Sequence, residues 1–280
     1  MRERLLDRAL VVCAWCAAAL VTCAFAWILA DVVRYGAREL SWDFLTSAPQ
    51  RAGRAGGIGP ILVSTLAIVT VCLAVAVPLG VGAALFLSEL TRAGGLLGGV
   101  VRASLDILAG VPSIVFGLFG NALFAVTLGL GFSILSGGLT LACMVLPLLI
   151  RTVEIGLRAV PRDYRLASAA LDLSRVRFFG SVLLPAAAPG ILAGLLLGLG
   201  RALAETAALL FTSGYVDRMP RSVLDSGRSL SVHVYDLAMN VPGGESRAYA
   251  TALVLVVVLL AVNGLSTWTV ERFVARRTDA

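Results

Sequence analysis

The sequence contains no lysine; all 23 of its basic side chains are arginine. That absence excludes a Walker A nucleotide loop, whose lysine reaches the phosphates, and any lysine Schiff base or lysine general base. Histidine is nearly absent too. The single one, His233, lies in a polar stretch, where a solvated loop residue is expected. Charged residues make up only 14% of the chain against 59% hydrophobic, and the mean hydropathy is +0.92. Those values lie far outside the soluble globular range, so the chain reads as a polytopic membrane protein. Its 5 cysteines, Cys13, Cys16, Cys23, Cys72 and Cys143, all fall in apolar stretches. Cys13 and Cys16 make a C-x-x-C, a spacing that in a soluble protein suggests redox chemistry or zinc. Without a second pair or a nearby histidine, they are expected to be small apolar packing residues. No disulfide, metal or other cofactor is expected, and nothing in the chain calls for nucleic acid.

What is present is a series of apolar runs long enough to cross a bilayer core of roughly 30 Å. Six spans can be read: about 9–30, 59–88, 107–126, 138–157, 189–212 and 248–270. The first contains Trp15 and Trp27 and is longer than the apolar part of a signal peptide, so a retained anchor helix is expected. Pro78 allows a kink in the second. Both ends are basic, through Arg2, Arg4 and Arg8 and through Arg272, Arg276 and Arg277. By the positive-inside rule both termini are then cytoplasmic. Loops 89–106 and 158–188 face in and carry Arg92 and Arg102 among their arginines, while 31–58, 127–137 and 213–247 face out. None of these segments is long enough for an independent core. The expectation is an all-α membrane protein with a single permease-like domain over 1–280, its core at about 56–270.

Inside the fifth span sit Arg201 and Glu205, four residues apart and so on one face of a continuous helix. Arg201 lies about 18 Å along that helix from Pro189, near the bilayer midplane. A charge there costs at least about 2.5–3.5 kcal/mol. Either the two residues tie helices together, or they face a path for a charged solute. Arg151 and Glu154 pose the same choice near the inner end of the fourth span, as an interfacial pair or as path residues. Thr206 offers a hydroxyl that either joins such a path or bonds its own helix backbone, and Ser113 after Pro112 is equally ambiguous.

The inner loop 158–188 carries an apolar helical stripe of Leu166, Ala169, Ala170, Leu173 and Val176. It is flanked by Arg158, Arg162, Arg165, Arg175 and Arg177. Two meanings compete: a basic helix lying on anionic membrane lipid, or a helix whose apolar face enters a groove of a cytoplasmic partner.

The spacing of this loop resembles the cytoplasmic signature loop of ABC-importer permeases, Glu-Ala-Ala, three residues, Gly, nine residues, Ile-x-Leu-Pro. Here it falls on Leu166-Ala167-Ser168, Asp172, Val182 and Leu184-Pro185, with leucine at the glutamate position and aspartate at the glycine position. The stretches 56–90, 105–120, 146–161 and 197–214 are similar to phosphate-specific permeases of the PstA type. In that family a glycine precedes the motif glutamate, where this chain has Ala204. The resemblance implies a type I ABC-importer permease fold with six transmembrane helices in the bacterial inner membrane. It implies inorganic phosphate as the solute and Arg151, Arg201, Glu205 and Thr206 on its path. It implies ATPase docking through Arg162, Arg165, Leu166, Ala167, Ser168, Ala170, Asp172 and Leu173. The implied partners are a homologous PstC-type permease, two ATPase subunits and an extracytoplasmic phosphate-binding protein. The chain is then no enzyme, ATP hydrolysis belonging to the partner. A permease for another oxyanion, such as sulfate or molybdate, and a membrane sensor or scaffold that does not transport are the alternatives.

Overall fold

Apolar runs in lipid must satisfy their own backbone, which leaves helices as the means for single segments. The computed structural model, which describes residues 2–91 and 95–278, is accordingly helical along most of its length. Arg92 lies outside the described residues, as do the side chains of Arg2, Arg4, Arg272, Arg276 and Arg277.

Helix α1 (Arg2–Glu39) runs further than expected and takes in Asp31, Arg34 and Arg38. Its apolar window is wholly exposed, with Cys13, Cys16 and Cys23 on that bare surface rather than in packing contacts within the chain. Near its end Tyr35 meets Tyr249 with ring centroids 5.3 Å apart. Ser41 Oγ accepts the Phe44 amide at 3.1 Å and starts the short α2 (Trp42–Thr46). A hairpin of β1 (Pro49–Gln50) and β2 (Ala55–Gly56) follows, paired antiparallel. Next comes α3 (Gly59–Leu85), which passes Pro78 without a break and ends in a π turn, Phe86–Leu90.

The expected third span is not one helix. It takes in only the end of α4 (Leu96–Ala109), most of which lies in the expected inner loop, and then α5 (Ser113–Gly120, extended by a π turn to Thr127); the two are bent by 100°. The reason is local: Pro112 is extended at φ −58°, ψ 141°, and the residue before a proline avoids the helical region. Helix α6 (Ile134–Ala159) starts on Ser133, whose hydroxyl accepts the Ser136 amide. After it come α7 (Arg162–Ala170), α8 (Arg175–Phe178), α9 (Leu184–Ala186) and α10 (Ala188–Ala204). The stretches Arg175–Ala186 and Ala188–Ala204 are bent by 70°. The chain closes with α11 (Ala207–Leu210), α12 (Leu230–Met239) and α13 (Glu245–Thr278). Among the described residues 4 helices are long and apolar enough to span a membrane, and 6 spans result if each bent pair counts as one.

The core lies where α3, α6 and α10 meet, around Ile68, Cys72, Leu141, Met144, Leu149 and Leu157. Glycines let α10 approach α6 closely. A Cβ at Gly190 would stand 2.5 Å from Gly156 Cα, and one at Gly198 would stand 2.6 Å from Val145 Cγ1. These contacts make α10 antiparallel to α6. They also fix two ends of the bundle, one bearing α7 and the other bearing α12.

Candidate translocation site

Gly198 abuts Val145, and this contact sets the depths of Arg201 and Arg151. Arg201 lies three residues nearer the α12 end, and Arg151 six residues nearer the α7 end. At 1.5 Å per residue they are about 13 Å apart along the bundle axis. They occupy two successive levels and do not form one cluster.

The structure separates Arg201 from Glu205. Helix α10 ends at Ala204, and Glu205 is extended at ψ 127°, so the two do not share a helix face. Glu205 Oε1 instead accepts the Ala208 amide at 3.2 Å, and its backbone carbonyl accepts the Ser231 hydroxyl at 2.6 Å. Arg201 sits in the last turn of α10, where a cation complements the negative end of the helix. It is half-buried, and among the described residues it has no ion pair or hydrogen bond. The Thr206 hydroxyl likewise makes no hydrogen bond among the described residues, nor does that of Ser113. A helix break beside these polar groups is tolerated at membrane depth only where protein covers it or where it lines a cavity.

Arg151 is held differently. Its Nε donates to Asp106 Oδ1 at 2.9 Å and its Nη1 to Glu154 Oε2 at 3.2 Å. Glu154, only 1% exposed, also receives Arg102 Nε at 2.7 Å and Arg158 Nη2 at 2.9 Å on Oε1. One buried carboxylate thus gathers three guanidiniums. Sequence reasoning missed both Arg102 and Asp106: Arg102 was placed in an inner loop and Asp106 was not singled out. The signal was there: Arg102 and Asp106 are spaced i, i+4, while Arg151, Glu154 and Arg158 are spaced i, i+3, i+7, each set on one helix face.

The docking segment keeps its length and turn. Leu166, Ala167, Ala169 and Ala170 are exposed, as are Arg162 and Asp172, and Leu173 is half-buried. Leu166 and Val176 leave 68% and 82% of their surface bare, an apolar face with nothing packed on it. Ser168 is buried, its hydroxyl donating to the Tyr164 carbonyl. Asp172 takes φ +46°, the left-handed position that ends a helix. Its amide bonds Ala169 O at 3.1 Å while Leu173 N bonds Ser168 O at 3.0 Å, the Schellman pattern. The signature's glycine is suited to that position, and aspartate is among the few other residues that enter it at modest cost. Arg165 does not face outward. It grips Glu89 through Nη2 at 2.6 Å and Nε at 3.2 Å, and that hydrogen-bonded pair raises its pKa further.

His233 is a correction to the sequence reading. It is 1% exposed, on the face of α12 that also carries Leu230 and Leu237. Arg228 Nη1 donates to its Nδ1 at 3.2 Å, and Arg228 also pairs with Asp236 at 3.0 Å. Burial, and secondarily the Arg228 charge, push its pKa down to about 4. The spacing Leu230, His233, Leu237 was the visible sign of a buried helical face.

The profile described as binding-protein-dependent transport system inner membrane component matches residues 76–278. The chain is 31% identical over 271 residues to the probable ABC transporter permease protein YqgI of Bacillus subtilis, covering 91% of this chain and 90% of that one. It is 36% identical over 225 residues to phosphate transport system permease protein PstA 1 of Mycobacterium tuberculosis, covering 80% and 73%. Among solved structures it matches an inward-facing MetNI methionine ABC transporter with a TM-score of 0.59. That match has 18% identity and covers 78% of this chain and 94% of that one, a likeness of fold alone.

Proposed function

We propose that this chain, which belongs to the family of binding-protein-dependent transport system inner membrane components, is the PstA-type subunit of an ATP-driven phosphate importer. Its fold is the all-α fold of type I importer permeases. The observation that carries the solute assignment is Arg201, a half-buried guanidinium without a described partner, at a helix break beside Glu205 and Thr206. A guanidinium offers a fork of donors to an oxyanion and stays charged in an apolar setting. Phosphate sheds hydration on entering the membrane, and Arg201 replaces part of it. Arg151, about 13 Å further toward the α7 end, is the next stop, so the anion passes between two cations.

Glu205 favours phosphate over sulfate. Phosphate near neutral pH carries a proton that a carboxylate can accept in a hydrogen bond, while sulfate offers only lone pairs and is repelled. The same carboxylate keeps the site from holding the anion too tightly.

The family likeness, with the bare apolar face of α7 and α8, favours docking of an ATPase subunit there. Arg162, Leu166, Ala167, Ala170 and Asp172 face outward there, with Ser168 and Leu173 shaping the turn. The remaining partners are a PstC-type permease, which completes the path around Arg201, a second ATPase and an extracytoplasmic phosphate-binding protein. With six crossings, both termini and α7 lie on the cytoplasmic side of a bacterial inner membrane.

The test is vanadate-sensitive, ATP-dependent uptake of labelled phosphate by the reconstituted complex, with excess sulfate as competitor. We expect uptake that sulfate does not suppress in the native protein and does suppress in Glu205→Gln. Equal suppression in both overturns the assignment of Glu205.

A further inference from the structure

The end of α3 is wound as a π turn, and this changes the partners of a carbonyl. The Thr91 amide bonds Phe86 O at 3.1 Å, five residues back, so Leu87 O lacks the amide it would hold in an α-helix. Three side chains use it instead: Arg102 Nη2 at 3.0 Å, Arg158 Nη2 at 3.3 Å and Thr91 Oγ1 at 2.6 Å. Both arginines also hold Glu154, the carboxylate that holds Arg151. Two residues further along the same turn, Glu89 receives the fork of Arg165 from α7. Arg165 in addition donates to Leu157 O at 3.2 Å, in the last turn of α6, and to Val160 O at 2.9 Å, just past its end.

These contacts form one unbroken chain. It runs from α7 through Arg165 to Glu89, along the π turn to Leu87 O, through Arg102 and Arg158 to Glu154, and so to Arg151. Every link is a charge-assisted hydrogen bond, an ion pair or a single turn of backbone, so α7 and Glu154 are joined without a gap. Glu154 in turn competes with any anion for Arg151.

We propose that Arg165, Glu89 and Arg102 are positioning residues that carry motion of α7 through the π turn to Glu154, and thereby set how firmly Arg151 is held. The inference rests on Arg151 lying on the phosphate path. Pulling α7 away loosens Glu154 and frees Arg151 for the anion; relaxing it restores the pairing and expels the anion toward the cytoplasm.

The test uses the whole transporter in proteoliposomes and reads phosphate moved per ATP hydrolysed. In Glu89→Gln that ratio falls about tenfold, within the span of ordinary coupling energies, while ATP hydrolysis stays near native. Glu89→Asp, which keeps the charge, retains most of the coupling. Arg102→Lys, which cannot reach Glu154 and Leu87 O together, uncouples as Glu89→Gln does. An unchanged ratio in either Glu89→Gln or Arg102→Lys overturns the relay. A native complex that moves no phosphate overturns the substrate assignment and the relay with it.

Discussion

Glu154 is the residue on which the α7 half of the bundle depends most. Its carboxylate is 2% exposed and meets three guanidiniums, two of which are themselves partly exposed at 34% and 44%. Removing one partner of a buried ion pair commonly costs 3–5 kcal/mol. Because Arg151 and Arg158 regain some water, we expect Glu154→Gln to lose about 3 kcal/mol, read as denaturant stability in detergent. A loss below about 0.5 kcal/mol, ordinary for a surface substitution, contradicts that role. His233 supplies the pH counterpart. Its pKa falls from 6.5 unfolded to about 4 folded, so the unfolded chain binds more protons between those values. Stability at the α12 end is therefore full above about pH 6.5 and declines as the pH drops toward 4. Thermal melts at pH 5 and 7.5 should differ in the native protein and differ less in His233→Gln.

At this scale the charges were legible and their partners were not. Arg201 announced itself as an arginine in an apolar run. Its pairing with Glu205 assumed a continuous helix, and the break after Ala204 undid it. Arg151 was found with only one of its two acids, because Asp106 comes from a helix 45 residues away. Sequence spacing reports neighbours on one helix and is silent about neighbours across a bundle.

Among the elements, α6 and α10 meet so closely that one added side chain should disturb them. Gly190→Val places a side chain where a Cβ already stands 2.5 Å from Gly156 Cα. Overpacking of this kind costs about 1–3 kcal/mol. We expect Gly190→Val to lower the melting temperature and the assembled yield, while Gly200→Ala, with nothing within 4 Å of its Cβ, leaves both unchanged. Equal effects at the two positions contradict the packing account. Hydropathy located α1, α3, α6 and α13 well, because a long apolar run in lipid has few alternatives to a helix. The third and fifth spans are less regular: Pro112 lies inside the third, at a bend of 100°, and the helix of the fifth stops at Ala204, short of the 212 expected. In the loop 158–188 one of the two departures from the signature, Asp172, is conservative in backbone geometry. Asp172 keeps the left-handed cap that the glycine supplies, so the turn survives the substitution.

For the whole molecule, the three-helix core of α3, α6 and α10 serves as a frame with chemistry at both ends. At one end the Glu154 cluster joins α7 to Arg151; at the other Ser231 of α12 ties down the backbone of Glu205 beside Arg201. The arrangement suits the importer proposed above, which needs one end that takes force from an ATPase and another that receives the anion. The apolar surface of α1 suits lipid, and the bare stripe of α7 and α8 suits the partner proposed above. The central claim is that Arg201 carries phosphate through this assembly. Its most direct test is ATP-driven phosphate uptake by proteoliposomes containing the full transporter with native or Arg201→Gln permease. The account predicts that Arg201→Gln assembles, binds its ATPase and loses at least about tenfold of its uptake, the equivalent of about 1.4 kcal/mol. Uptake at the native rate in that variant would contradict it.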